Sequence, residues 1–79
     1  MAHNLTFHYD READILYINT LEPYAAEESE ELGDEVIARL NPQTGKIENL
    51  EVFFFTTRLL RRDLISLPVI ADLRQAEPG

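Results

Sequence analysis

Hydrophobic and polar residues form four strand-length patterns within the first 55 positions of the chain. Residues 5–9 alternate apolar and polar side chains, which predicts a strand with one buried face. Residues 15–18 and 47–55 are apolar on both faces, and both faces of such a strand need cover. Residues 35–40 have the composition of a further strand. The pattern therefore predicts a sheet of four strands.

Turn signals separate these strands. Residues 10–14 are charged and begin with an Asp, whose side chain favours tight turns by accepting bonds from the following backbone. In residues 41–46, Pro42 presets φ and Gly45 can take a positive φ, which predicts a second turn. Residues 20–31 contain a proline and five glutamates, of which Glu27, Glu28, Glu30 and Glu31 repel one another, so we expect a mobile acidic loop with at most a short helical turn.

A helical pattern follows the strands. Thr56 or Thr57 can cap a helix that runs to residue 67, and Pro68 ends it because proline lacks a backbone donor. A stripe of leucines is predicted to face the sheet: Leu60, Leu64 and Leu67. The opposite, solvated side carries Arg58, Arg61, Arg62 and Ile65. Residues 69–73 form either an edge strand or an extended arm.

Together the patterns predict an α+β fold: a four-stranded antiparallel β-meander with one C-terminal helix on one face and a short C-terminal extended arm. The 79 residues are expected to form a single domain, with the meander in 5–55, the helix in 56–67 and the arm and frayed tail in 68–79. One helix can cover only one face of this sheet. A second copy of the chain can cover the other, so we expect a homodimer.

Charge and composition narrow the function. The chain has 15 acidic and 7 basic residues and a net charge of -8. This balance argues against nucleic acid as a partner, because phosphate binding depends on Lys and Arg, and it favours a basic protein partner. The chain has no Cys, which excludes disulfides and thiolate zinc sites. Because neither a signal peptide nor a transmembrane stretch is visible, we expect a cytoplasmic protein.

The candidate interaction residues come from the second apolar face, the arginine-bearing side of the helix and the arm: Tyr17, Phe53, Phe55, Arg58, Arg61, Arg62, Ile65, Val69 and Ile70. No cofactor and no metal are predicted. RNA binding through the arginine side is a third option. The run Phe53–Phe55 suits base stacking only in basic surroundings, so we expect it to pack in the core or an interface.

Three carboxylates in the first turn suggest an alternative function. Asp10, Glu12 and Asp14 could serve a carboxylate- or metal-dependent hydrolase as acid, base or cation ligands. In the structural interpretation, which we favour, Asp10 bonds the turn backbone and the other two are solvated or paired with Arg11.

Two further groups have weaker signals. The acidic residues 27–35 lack the alternating Asp or Asn ligands and the central Gly of a calcium loop, so they are expected to be a solvated loop. His3 and His8 have no third ligand at a defined spacing, and His8 falls on the polar face of its strand.

Residues 9–18 (Tyr-Asp-Arg-Glu-Ala-Asp-Ile-Leu-Tyr-Ile) resemble the opening motif of a family of small bacterial proteins, domain of unknown function 2283. Residues 35–41 and 44–52 resemble the strand, glycine-containing turn and strand of its second half. The resemblance covers about residues 5–55 and implies no established activity. Some members resemble the antitoxin half of small paired cassettes beside a ribonuclease toxin. Residues 56–79 depart from the shortest members.

The leading hypothesis is therefore a small non-enzymatic interaction domain. It forms a homodimer and serves as the acidic, antitoxin-like partner of a basic protein. The alternative is the hydrolase described above.

Overall fold

The computed structural model describes residues 4–33, 35–61 and 67–75, which form one five-stranded antiparallel sheet and one short helix. The elements are β1 (Thr6–Asp10), β2 (Ile15–Asn19), β3 (Glu28–Gly33), β4 (Val36–Leu40), β5 (Ile47–Phe53) and α1 (Phe55–Leu60). The predicted combination of an antiparallel sheet and a C-terminal helix is confirmed. The predicted number of four strands is wrong.

The last strand in the sequence, β5, lies in the middle of the sheet. The strand order is β1-β2-β5-β4-β3, so β5 pairs with β2 on one side and with β4 on the other. The predicted meander, in which each strand pairs with the next, is therefore wrong. A central position gives the buried side chains of Leu50 and Val52 neighbours on both sides. The connection from β2 to β3 crosses the sheet and contacts β5 through Thr20 and Tyr24, which both bond to Glu48.

The acidic segment predicted to be a mobile loop, residues 20–31, overlaps the edge strand β3 (Glu28–Gly33). Glu28 pairs with Leu40 and Glu30 pairs with Ala38 in the β3–β4 ladder. An edge strand has water along its outer side, and Glu28, Glu30 and Glu31 are exposed. Their carboxylates stay hydrated while the backbone bonds to β4, so charge repulsion does not prevent a strand here.

One face of the sheet, the core face, carries the apolar core. Leu16 lies opposite Val52, and Ile18 lies opposite Leu50, and residues directly opposite in antiparallel strands share a face. Within the described ranges, four apolar side chains on this face are buried: Val36, Ala38, Leu50 and Val52. Three side chains from the C-terminal part pack against them: Phe55, Leu67 and Val69.

The other face, the polar face, differs from the expectation that β2 and β5 are apolar on both sides. Tyr17 lies opposite Glu51, and Asn19 lies opposite Asn49, which in turn lies opposite Arg39. These side chains are amphipathic, amide or charged. Three apolar side chains lie on this same face and are half-buried: Ile15, Ile37 and Phe53. The face is therefore mixed rather than apolar throughout, which weakens the argument for a homodimer from two apolar faces.

The three consecutive phenylalanines lie in three different environments. β5 ends at Phe53, two residues earlier than predicted. Phe54 takes the left-handed conformation with φ 55° and is exposed. Phe55 begins α1, and its ring centre lies 5.9 Å from that of Tyr9. The three rings therefore do not form one stacking surface.

The predicted orientation of the helix is wrong. Arg58, expected in solvent, is 6% exposed, whereas Leu60, expected to face the sheet, is 81% exposed. The start of α1 determines this orientation, because Asp14 accepts hydrogen bonds from the backbone N–H and the hydroxyl of Thr56 at 3.1 and 2.8 Å. The Nε of Arg58 then donates to the carbonyl of Phe53 at 3.1 Å. The C-terminal part of the predicted helix, residues 62–66, lies outside the described residues.

Residues 69–73 form no strand in the structure. Val69 packs against the core, whereas Ile70 and Leu73 are exposed. Within the part of the chain that the structure describes, no helix is long and apolar enough to cross a membrane.

Candidate functional site

A cleft of about 320 Å³ opens on the polar face, between the β2–β3 connection and strands β2, β4 and β5. The side chains that give it chemical character are Tyr17, Tyr24, Glu27, Arg39, Asn49 and Glu51. A second depression, of about 410 Å³, lies beside residues 4–6 and 19–22. Because none of the residues lining that depression is buried, the first cleft is the better candidate site.

An irregularity in β5 brings the strand into contact with the connection. Arg39 pairs with Asn49 but Leu40 pairs with Ile47, so Glu48 is an extra residue in β5 and forms a β-bulge. Glu48 accepts hydrogen bonds from the hydroxyl of Tyr24 at 2.6 Å and from the amide of Asn41 at 3.2 Å. The bulge therefore allows consecutive residues of β5 to hold the connection over the polar face.

Asn49 fixes the start of the connection. Its side chain is 2% exposed, and its Nδ2 donates to Asn19 Oδ1 and to the carbonyl of Leu21, both at 2.8 Å. Because both contacts need a donor, the orientation of the amide is determined. Its Oδ1 has no hydrogen-bond partner among the described residues.

Glu27 is the buried acid of the cleft and is 8% exposed. Its Oε1 accepts a bond from the N–H of Tyr24 at 3.3 Å, while its Oε2 is buried without a partner in the described ranges. Burial raises the pKa of Glu27, the Tyr24 N–H opposes that rise, and the carboxylate of Glu48 adds to it. A proton on Glu27 can be shared with Glu48, whose own pKa is lowered chiefly by the hydrogen bond from the Tyr24 hydroxyl. The same hydrogen bond raises the pKa of Tyr24 to about 12.

The opposite wall of the cleft contains an ion pair and an aromatic side chain. Arg39 Nε lies 2.8 Å from Glu51 Oε2, and the two side chains are 39% and 12% exposed. Tyr17 stacks on His8 with ring centres 6.1 Å apart. Among the described residues, two carboxyl groups and one guanidinium line the cleft, and Glu48 lies beside it, bonded to Tyr24. The charge of this group is negative when all are ionised.

The predicted interaction residues divide between the interior and the surface. Phe55 and Val69 pack against the core, and Arg58 is buried, so these three stabilise the fold in the monomer. Tyr17 and Phe53 are half-buried on the polar face, where only Tyr17 reaches the cleft. Two predicted residues are exposed: Arg61 and Ile70. Two others lie outside the described residues: Arg62 and Ile65.

The carboxylates of the first turn have structural roles. Asp10 Oδ1 accepts bonds from the backbone N–H of Glu12 at 3.0 Å and of Ala13 at 3.2 Å, which confirms the predicted Asp-initiated turn. Asp14 accepts a bond from the Tyr9 hydroxyl at 2.6 Å besides those from Thr56, so it is not a partner of the neighbouring arginine. In residues 4–33, 35–61 and 67–75 there is no group of three His, Asp or Glu side chains that could hold a metal ion.

Sequence reasoning missed the main residues of the cleft. The burial of Glu27 depends on the path of the connection, for which the sequence has no signal. Asn49 and Glu51 did have one, because they alternate with Leu50 and Val52 along β5. That alternation is typical of a strand with one polar face.

The comparisons with known proteins place the chain in a family of unknown function. Neither the curated proteins nor the solved structures include a match. The family model described as "Protein of unknown function (DUF2283)" matches residues 6–55, and this part of the chain contains all five strands. The chain belongs to the DUF2283 family.

Proposed function

We propose that this protein is a small non-enzymatic interaction domain that forms a homodimer through the outer edge of β1. The supporting observation is that the two edges of the sheet differ in charge. The β3 edge presents the exposed carboxylates of Glu28, Glu30 and Glu31. The segment 4–9, which contains most of β1, has no formal charge.

Exposed apolar side chains mark the same edge. Leu5 is 44% exposed and Phe7 is 62% exposed. An uncharged edge strand with apolar side chains is a template for pairing with another strand, whereas a row of like charges opposes it. Two copies of β1 can pair antiparallel about a two-fold axis at Phe7, with Tyr9 opposite Leu5 of the other copy. No like charges would then lie opposite each other, and the result is a continuous ten-stranded sheet.

The small core favours such pairing. A chain of 79 residues buries a small fraction of its surface compared with larger domains. Adding Phe7 and Leu5 from two copies would extend the core face beyond Ile18, which lies directly opposite Phe7 in the β1–β2 pair. Each fully buried side chain of this kind contributes about 1.5–3 kcal/mol before the cost of association.

Sedimentation velocity tests this proposal. At about 10 µM, where a dimer with a micromolar dissociation constant is populated, we expect the wild-type chain to sediment as a dimer. Phe7→Lys puts two like charges together at the axis and should give a monomer. A monomeric wild type, or a dimeric Phe7→Lys variant, would contradict the proposal.

Two matched variants locate the interface. Glu30→Lys changes the charge on the opposite edge, and Ile70→Lys places a charge on the exposed arm. Both should remain dimeric. If the Ile70→Lys variant is a monomer while the Phe7→Lys variant remains a dimer, the interface lies on the arm instead.

The net charge of -8 supports a second role for the same domain, as the acidic partner of a basic protein. The exposed carboxylates along the β3 edge favour it: Glu28 and Glu30 lie on one side of the strand and Glu31 lies on the other. We expect the product of the neighbouring gene to co-purify at low salt and to dissociate as salt is raised. Reversing two of these charges should abolish the complex without affecting the β1 dimer.

A further inference from the structure

The cleft contains two buried hydrogen-bond acceptors that lack a donor. Glu27 Oε2 and Asn49 Oδ1 have no partner within the described residues, and both side chains are more than nine-tenths buried. Both residues line the cleft. Buried polar atoms in folded proteins are almost always satisfied. Both atoms are closed to solvent in the structure, so a donor that enters the cleft reaches them once the groups covering them move, and it then forms bonds that the described side chains do not supply.

The charge of the cleft favours a cation. Arg39 is paired with Glu51 at 2.8 Å, so this pair is close to neutral. The carboxyl groups of Glu27 and Glu48 accept hydrogen bonds from neutral groups within the described residues, and the charge of Arg39 compensates Glu27 only in part, because the pKa of Glu27 stays raised. A cationic donor would supply a hydrogen bond to Glu27 and offset the negative charge of Glu48, whereas an anion would be repelled.

The remaining walls favour an organic cation. Tyr17 and Tyr24 both line the cleft, and the faces of aromatic rings attract cations. The volume of about 320 Å³ is at the lower end of the range of about 300–1,000 Å³ for small-molecule sites. We propose that the cleft binds an organic cation with N–H donors, an alkylammonium or alkylguanidinium head group.

The state of Glu27 agrees with this assignment. Its pKa is raised because of burial and the nearby Glu48 carboxylate, so a proton competes with the ligand for the same place. The charged or titratable groups around it are Tyr17, Tyr24, Arg39, Glu48 and Glu51. A metal ion is a poorer occupant, because the described residues hold no cluster of three His, Asp or Glu ligands.

NMR titration of the full chain tests the proposal. The probes are N-ethylguanidinium and butylammonium, added to ¹⁵N-labelled protein at neutral pH. We expect saturable shifts of the backbone amides of Tyr24 and Glu27 and of the side-chain amide of Asn49, with a dissociation constant of about 1 mM. Tetramethylammonium has the same charge but no N–H, and it should bind about fivefold more weakly or worse, as expected for the loss of one hydrogen bond.

Two variants that each remove one negative charge distinguish binding in the cleft from general electrostatic attraction to the acidic protein. Glu27→Gln should weaken binding about tenfold or more, because a charged acceptor is lost. Glu30→Gln removes the same charge on the exposed edge and should leave the affinity within about twofold. Tyr17→Leu keeps an apolar wall without the aromatic face and should weaken binding several-fold, which gives an independent variant if Glu27→Gln folds poorly.

The cationic head group can belong to one of two kinds of molecule: a free amine or guanidine, or the Lys or Arg side chain of a protein. A blocked Gly-Arg-Gly peptide compared with N-ethylguanidinium distinguishes them. Tighter binding of the peptide assigns the site to a protein partner, and equal or weaker binding assigns it to a small molecule. The proposal is overturned by the absence of saturable shifts, by shifts outside the cleft, by equal binding of tetramethylammonium, or by a Glu27→Gln variant that binds like the wild type. None of these outcomes depends on the β1 dimer.

Discussion

Asn49→Asp is the most informative single change in this fold, because it alters one buried atom without changing the size of the side chain. In the wild type, Nδ2 of Asn49 donates to Asn19 Oδ1 and to the carbonyl of Leu21. The substitution replaces this donor with an oxygen, so two acceptors then face a third acceptor. The β2–β3 connection loses its attachment to β5 at that point.

The expected loss follows from these two contacts. A buried acceptor left without a donor costs about 1–3 kcal/mol, so two of them cost about 2–6 kcal/mol. A chain of 79 residues has a total free energy of unfolding of about 4–12 kcal/mol. The variant should therefore lose about half of its stability at neutral pH, and its Tm should fall by about 4–8 °C for each kcal/mol lost.

The loss should depend on pH with a definite sign. We expect burial to raise the folded-state pKa of the introduced carboxyl group above the unfolded value of about 3.9. A raised folded pKa means that the deficit is small at low pH, where the protonated group can donate to one acceptor, and grows as the pH rises through the folded pKa.

Urea unfolding followed by circular dichroism at about pH 5 and pH 7 measures both effects, with the wild type measured at each pH. Gln43→Glu makes the same chemical change on an exposed turn and should stay within about 0.5 kcal/mol of the wild type. An Asn49→Asp variant within about 1 kcal/mol of the wild type at pH 7 would refute the reasoning, because at least two orphaned acceptors are expected to cost more. A deficit that does not change with pH would refute the inferred burial of the new charge.

Other predictions concern the turns and the cleft. Asp14→Ala removes the acceptor for Tyr9 and Thr56 and should lower the Tm measured by calorimetry. Because the pKa of Asp14 is lowered from 3.8, the difference in stability between the wild type and the variant should shrink as the pH falls through that lowered pKa. Glu27→Gln should raise the Tm at neutral pH, since the raised pKa of Glu27 means that its ionised form costs stability, and the gain should vanish in acid. Gly45 has φ 74° and open space where a Cβ would lie, so Gly45→Ala should cost about 1 kcal/mol in urea unfolding and Gly45→Asn less, because Asn tolerates this conformation.

The parts of the structure that the sequence predicts well depend on short-range bonds. Asp10 bonds to backbone N–H groups two and three residues later. Asn41 does the same in the second turn, where its Oδ1 accepts bonds from the N–H of Gln43 and Thr44. The conformations of such turns follow from the residue types alone. The strands that they join are therefore predicted close to their observed positions.

The order of the strands is not predictable in this way, because it depends on which distant segments pair. The choice of β2 as a partner for β5 joins residues about 30 positions apart, such as Asn19 and Asn49. Local patterns contain no information on that choice. The cleft follows from the same pairing, since it needs both the bulge at Glu48 and the path of the connection over the polar face.

The orientation of α1 differs from the predicted one for a geometric reason. Successive residues of a helix are separated by about 100° around its axis, so a small change at the start moves every side chain to a new direction. The start is set by Phe54 in the left-handed conformation and by the bonds between Asp14 and Thr56. Both features involve contacts that a periodic pattern does not record.

The central position of the last strand has a consequence for synthesis of the protein. β5 is the last of the five strands to be synthesised, and until it is available only the β1–β2 and β3–β4 hairpins can form, each without the neighbour that joins them. Isolated two-stranded hairpins are marginally stable in water. Folding of this sheet is therefore completed in one late step, when β5 leaves the exit tunnel and inserts between the two hairpins.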